Sequence, residues 1–337
     1  SLLGMPAGAV LIMPTLGWII ARWGAGRVTF VSALVFCLTT VLPSLSWNMP
    51  TLITALFCIG LTSGAMDIAM NAEASAVELA SGEPIMSTCH GFWSIGGMVG
   101  AALGGIIASW HVPFTLHMAV LIALMLVLVV LRRGTLLAAL PVLSPPQRLF
   151  ALPTGPLIGL AVMAFCVMIG EGAMIDWSAV YLKNTLGTGA AVAGFGYALF
   201  SMSMAVGRLH GDQLYTRFTT AVLVQRSGLI AAIGLGGALL LANPTAALVG
   251  FACAGLGFAS MVPIVYRSAT KAPGMLPGTG LAAVATAGYA GMFAGPPLIG
   301  FTAEAVGLGS ALGIVVALLL LVALMAPRAL KAIPQHT

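Results

Sequence analysis

Three carboxylates, Asp67, Glu73 and Glu78, fall within "GAMDIAMNAEASAVE" (Gly64 to Glu78), directly after the uncharged run "TLITALFCIGLTS". Asn71 stands four residues beyond the first of them. "CHGFWSIGG" adds His90 and Trp93, and "GEGAMIDWSAVYL" adds Glu171 and Asp176. Carboxylates and imidazoles are the groups that exchange protons most readily when their surroundings are tuned. In an apolar setting each is costly to keep charged unless paired or protonated. Such residues suit the uptake and release of protons beside a polar solute. The chain has no Ser-His-Asp set, no phosphate-binding glycine loop and no Cys/His metal spacing, so neither an enzyme nor a metal or other cofactor is expected.

The elements that must carry these residues follow from composition. Of 337 residues, 60% are hydrophobic and only 6% charged, where a soluble domain carries about 25% charged residues. The solvent for most of this chain must be lipid. Lipid admits helices or closed barrels, and the apolar runs here are long and continuous rather than alternating, which predicts an all-α polytopic bundle. Eleven spans are expected, near 2–20, 28–46, 50–72, 86–109, 113–131, 156–180, 190–208, 221–242, 245–266, 278–300 and 308–326. A longer polar connection, "RRGTLLAALPVLSPPQR", divides them into five and six.

Orientation follows from the basic residues. Arg22, Arg27, Arg132, Arg133, Arg148, Arg208, Arg217, Arg226, Arg267, Lys271, Arg328 and Lys331 fall on one side, and only Lys183 on the other. By the positive-inside rule the first side is cytoplasmic, and the C-terminus with it. An even bundle with both ends inside requires one more span before Ser1. The net charge of +5 is scattered one or two residues at a time, which argues against nucleic acid as a partner. The five cysteines lie in apolar runs and read as small hydrophobes. Trp18, Trp23, Trp47 and Trp110 fall at span ends as interface anchors.

Helical spacing puts Asp67, Asn71, Ala74 and Glu78 on one face and turns Glu73 away. Asp67 lies about 17 residues in from Pro50, roughly 25 Å into a core of about 30 Å. Glu73 and Glu78 are expected near the inner headgroups, pairing with turn arginines. His90 falls close to the level of Asn71, as a proton relay or as an ordinary hydrogen bond between helices, and Trp93 falls near Asp67. Glu171 is about 15 residues in from Pro156, within the hydrocarbon. Its flanking glycines raise the expectation of unwound backbone lining a cavity. Asp176 is expected at the outer surface, gating the mouth or pairing with Lys183. Tyr197 and Tyr289 sit mid-span and either stack on a solute ring or fill the core. Gly96, Gly97, Gly100, Gly104 and Gly105 have the spacing of a helix-packing stripe.

Two halves of six spans, with Gly/Arg turns "GWIIARWGAGR" and "GRLHGDQLYTRF", resemble the major facilitator superfamily. "GAMDIAMNAEASAVE", "CHGFWSIGGMVGAALGG", "GEGAMIDWSAVYL", "AVGRLHGDQLYTRF" and "TAGYAGMFAGPPLIGFTAEAVGLGSA" resemble its fucose-permease-like branch and the YbjJ-like inner-membrane proteins. The resemblance implies an N-terminal half at 1–131 (helices 2–6), a cytoplasmic loop at 132–155 and a C-terminal half at 156–337 (helices 7–12). It implies a monomeric secondary transporter of the cell inner membrane, moving a small polar, sugar-like solute with protons. Asp67 and Asn71 match the branch's acid-x-x-x-Asn pattern, which makes Asp67 the expected proton site, with Glu171 and His90 beside it. Asn71, Trp93, Tyr197 and Tyr289 are the expected solute contacts, and Asp176, Arg22 and Arg217 the gates. Two departures stand out. Ala21 and Thr216 occupy the places before Arg22 and Arg217 where the superfamily has Asp, and "GFWSIGGMVGAALGG" lacks the Gly-Pro of drug antiporters. Export of drugs or amphipathic metabolites, and a receptor or scaffold without transport, are the alternatives.

Overall fold

A backbone in hydrocarbon must satisfy its N–H and C=O groups within its own segment, so uncharged runs of this length wind into helices. The computed structural model describes residues 4–110, 112–135, 152–153, 155, 157–273 and 276–331. Among them eleven α-helices follow one another: α1 (Gly4–Trp23), α2 (Ala25–Thr39), α3 (Met49–Ser81), α4 (Met86–Ser109), α5 (Phe114–Arg132), α6 (Leu157–Val180), α7 (Ala190–Arg217), α8 (Thr220–Leu241), α9 (Pro244–Thr270), α10 (Pro277–Val306) and α11 (Leu308–Lys331). Each expected span has its helix, and no strand occurs among the described residues. Among the described residues ten segments are long and apolar enough to cross a bilayer. Of the expected central loop, 136–151 with Arg148 lies outside the described residues.

The chain gathers into two compact units. The first comprises Ser1–Glu83, Gly96–Pro153 and Gly274–Thr286. The second comprises Pro84–Ile95, Thr154–Pro273 and Ala287–Thr337. In the first, α1 lies so close to α3 that a Cβ on Gly8 would overlap the Phe57 carbonyl, and one on Gly60 the Met5 carbonyl. Thr39 and Thr62 share a 2.8 Å hydrogen bond between α2 and α3. Asn48 caps α3, its Oδ1 accepting from the Thr51 N–H at 2.9 Å. Gly82, with φ of 75°, ends the same helix.

In the second unit α9 packs against both α7 and α8. A Cβ on Gly255 would overlap the Phe200 carbonyl, and the Ser227 and Ser260 hydroxyls bond at 2.7 Å. Phe251 and Phe258 of α9 are fully enclosed. Small residues let helices in lipid approach until dispersion and hydrogen bonds replace a hydrophobic drive.

The structure corrects several expectations. "GRLHGDQLYTRF" is not a turn: α7 continues to Arg217. Gly207 and Gly211 serve packing instead, since a Cβ on the first would come within 2.6 Å of Ala259 Cβ and one on the second would overlap Ser87 Oγ. The break between α1 and α2 is the single residue Gly24, at φ 83°. No unwinding surrounds Glu171. α6 is helical throughout, and Gly170 fits tightly against Phe258 and Val315. The irregular backbone lies further on, in a π turn at Tyr181–Thr185. Gly96, Gly97 and Gly100 form no packing stripe among the described residues, because a Cβ at each would meet nothing within 4 Å. Cys89 is exposed rather than buried.

Candidate functional site

Glu171 is the one acid in the first two-thirds of α6, with Asp176 nearer its end, and the helix is otherwise mostly apolar. A lone carboxylate there requires a partner. Arg208 of α7 supplies it. Helical side chains lean toward the helix N-terminus, and Arg208 lies nine residues before the end of α7, about 14 Å along it. Its Nη2 donates to Glu171 Oε1 at 3.3 Å, and its Nη1 to Ser94 Oγ at 2.8 Å. Ser94 Oγ in turn donates to the His90 carbonyl at 3.2 Å. Arg208 is only 4% exposed, yet its Nε is buried without a partner. The ion pair is single and long beside the roughly 2.7–2.9 Å of a well-made charge-assisted bond.

One turn further along α7, Asp212 makes a tighter arrangement. Its Oδ1 accepts from the Ser87 N–H at 3.1 Å and from Arg267 Nη2 at 2.8 Å, while Oδ2 accepts from the Thr88 N–H at 2.7 Å. Ser87 and Thr88 open α4, where N–H groups have no partner inside the helix and the helix dipole favours an anion. Arg267 is 2% exposed, and its guanidinium lies 4.0 Å from the centre of the Tyr215 ring. His90, between Thr88 and Ser94 on α4, sets its ring edge-on to Tyr266 at 6.1 Å.

In the first unit the opening stretch behaves as its spacing implies. Asn71 Nδ2 donates to the Asp67 carbonyl at 2.8 Å and to Asp67 Oδ1 at 3.1 Å. Asp67 is half-buried and Asn71 buried. Glu73 and Glu78 are both buried within α3, which runs on to Ser81.

The remaining expected residues are more dispersed. Trp93 is 55% and Tyr197 40% exposed, the latter tilted against Phe200 at 6.4 Å. Tyr289 is half-buried on α10. Asp176 is exposed, and among the described residues it forms no ion pair with Lys183. Arg22 is exposed with its guanidinium 5.7 Å from the Trp18 ring centre, and Arg217 is exposed at the end of α7. The structure therefore joins Glu171 to the His90 segment through Arg208, and Asp67 to Asn71. Arg208, Asp212 and Arg267 were missed as site residues. The signal for the first two was an Arg and an Asp four residues apart in a helix of an apolar chain.

Acids and arginines paired inside membrane helices are rare and mark polar pathways through the bundle. Residues 2–296 match the family profile of the Major Facilitator Superfamily, and the chain belongs to that family. It is a multi-pass membrane transporter, not an enzyme. An uncharacterized MFS-type transporter of Yersinia pestis is 36% identical over 325 residues, covering 96% of this chain and 84% of the relative. The fold is similar to that of the E. coli fucose:proton symporter, with a TM-score of 0.79 at 14% identity over 99% of this chain and 90% of the other. It is also similar to that of the human organic anion transporter MFSD10, with a TM-score of 0.80 at 15% identity over 96% and 83%.

Proposed function

We propose that this protein carries a small polar, sugar-like solute across the bacterial inner membrane by alternating access, as a monomer, with proton coupling through Asp67. Within the superfamily we place it beside the fucose-permease-like branch and the YbjJ-like proteins. The proposed halves are 1–131 and 156–337, joined by 132–155, with the C-terminus and the Arg217 end of α7 facing the cytoplasm. The observation that carries the coupling reading is the Asp67–Asn71 pair: a half-buried acid inside a membrane-spanning helix, held by the amide one turn away. An acid so placed exchanges a proton as its surroundings hydrate and dry. His90 and Glu171 are supporting proton sites. Asn71, Trp93, Tyr197 and Tyr289 offer hydrogen bonds and ring faces to the solute, and Asp176, Arg22 and Arg217 gate its passage. Asp212 adds a gate of its own, because opening the bundle at the start of α4 requires its bonds to Ser87 and Thr88 to break. The fold likenesses join a fucose:proton symporter and an organic anion transporter, so the cargo rests on the site residues and not on the fold.

The test is uptake in proteoliposomes under an imposed pH gradient, with solutes first chosen by thermal shift of the purified protein. Asp67→Asn keeps the shape and removes the titration. It should abolish accumulation against a gradient and retain solute exchange. Accumulation equal to that of the parent would remove Asp67 from the coupling role.

A further inference from the structure

The second unit buries two ion pairs of very different completeness. Asp212 accepts from two backbone N–H groups and a guanidinium, all within 3.1 Å. Arg208 is left with one hydroxyl, one distant carboxylate oxygen and an idle Nε. Arginine has five N–H donors in a fixed fork. Its Nε and Nη2 hydrogens lie along one edge, the edge that a carboxylate fits with both oxygens. In this structure that edge holds only the 3.3 Å contact from Nη2 to Glu171. Nη1 points elsewhere, to Ser94.

We propose that Arg208 is the docking point for a carboxylate on the transported solute, and that Glu171, displaced from Arg208 by that carboxylate, takes up the proton that travels with it. The proposal rests on the reading of the chain as a proton-coupled carrier of polar solutes, and it makes the solute a sugar acid or a similar monoanion.

Charge counting carries the second half of the argument. Glu171 and Arg208 balance, as do Asp212 and Arg267. Adding one anion beside this pair leaves an excess negative charge in low dielectric, which is costly. A proton from solvent hydronium restores the balance: an O–H bond forms on a Glu171 carboxyl oxygen as one in hydronium breaks, leaving water. The solute anion and the proton move together, so the transported pair is electrically neutral. A neutral sugar gives Arg208 no reason to leave Glu171. The side chain of Glu171 is 16% exposed against 5% for Arg208, so the acid is the accessible member of the pair and the one an incoming group meets first.

Glu171 is the acid in direct contact with Arg208. α9 and α11 face neighbouring Gly170 with Phe258 and Val315. Charged and ring groups on the packed elements include Arg208, His210, Asp212, Tyr197, Tyr215 and Arg217 on α7, His90 on α4, Tyr266 and Arg267 on α9, and Tyr289 and Glu304 on α10, which meets α6 through Gly288 against Met168 and Met292 against Gly172. Asp212 is already occupied by its three donors. α11 brings Arg328 and Lys331 only at its far end.

The experiment uses the full chain in lipid nanodiscs and matched probes: glucuronate against glucose, galacturonate against galactose, and gluconate against sorbitol. Calorimetry in two buffers of different ionisation enthalpy counts the protons taken up on binding. An acid should bind where its neutral partner does not, with uptake of about one proton and a Kd that rises about tenfold per pH unit once free Glu171 is ionised. Arg208→Lys keeps the charge but loses the two-donor edge and should weaken acid binding tenfold or more. Glu171→Gln should still bind the acid, now without proton uptake and without the pH slope. Thermal melting and gel filtration of both variants confirm folding, and Glu171→Gln alone suffices if Arg208→Lys does not assemble. Equal binding of acid and neutral partner, failure of every acid to bind, or unchanged proton uptake in Glu171→Gln would each overturn the proposal. Asp67→Asn separates the two readings. Acid-linked proton uptake that survives in it and vanishes in Glu171→Gln removes Asp67 from coupling while upholding the Arg208 site. Neutral-sugar binding with Asp67-dependent proton uptake does the reverse.

Discussion

Replacing Asp212 by Asn should deprive the buried Arg267 guanidinium of its carboxylate. The Arg267 guanidinium is 2% exposed and donates to Asp212 at 2.8 Å. Removing one member of a buried pair typically costs about 3–5 kcal/mol, chiefly because the other charge remains desolvated. The two α4 N–H groups also lose a charged acceptor, though the amide oxygen can still serve one of them. The single variant should therefore lose about 3–5 kcal/mol. Arg267→Met should be nearly as damaging, because it leaves the carboxylate buried. The double variant, with neither charge, escapes the stranded-charge penalty and should cost less than the sum of the singles by about 2 kcal/mol or more. The assay is reversible denaturation in mixed micelles across the four proteins of the cycle. Additive single effects within about 0.5 kcal/mol would refute the reasoning, because independent sites behave that way.

Three further outcomes follow from other parts of the structure. Cysteines placed at Arg22 and Arg217 should react with an impermeant maleimide from one side of the membrane and a cysteine at Lys183 from the other; labelling of Arg22 and Lys183 positions from the same side would break the topology. Gly211→Ala places a Cβ against Ser87 Oγ, so it should lower the melting midpoint, with an overpacking cost of about 1–3 kcal/mol, while an exposed site such as Gly97 should accept Ala without loss. Thr39→Val breaks the bond to Thr62 between α2 and α3 and should cost about 0.5–1.5 kcal/mol in the same denaturation assay; no change would mean Thr62 is satisfied by its own helix alone.

The sequence by itself determined that this chain is an all-helical membrane bundle and roughly where each helix lies, though not where several of them end. That information is local: length, apolarity and the demand of hydrocarbon for satisfied backbone fix a helix without reference to its neighbours. Spacing likewise set the Asp67–Asn71 contact, because residues four apart on a helix touch. The partners of Glu171 and of the first turn of α4 were decided only in three dimensions. Arg208 is 37 residues from Glu171, and Asp212 is 125 from Ser87. Arg208 and Arg267 looked like loop cations because basic residues near span ends usually are, yet both are buried inside helices. α3 was expected to stop near residue 72, and it runs to Ser81 with Glu73 and Glu78 buried along it. The glycines of α7 looked like a turn and are instead the close approach that admits Ser87 and Ala259. Helical periodicity tells which residues share a face, but the identity of what that face meets depends on how distant segments pack, and packing is where buried charges find the partners that make them affordable.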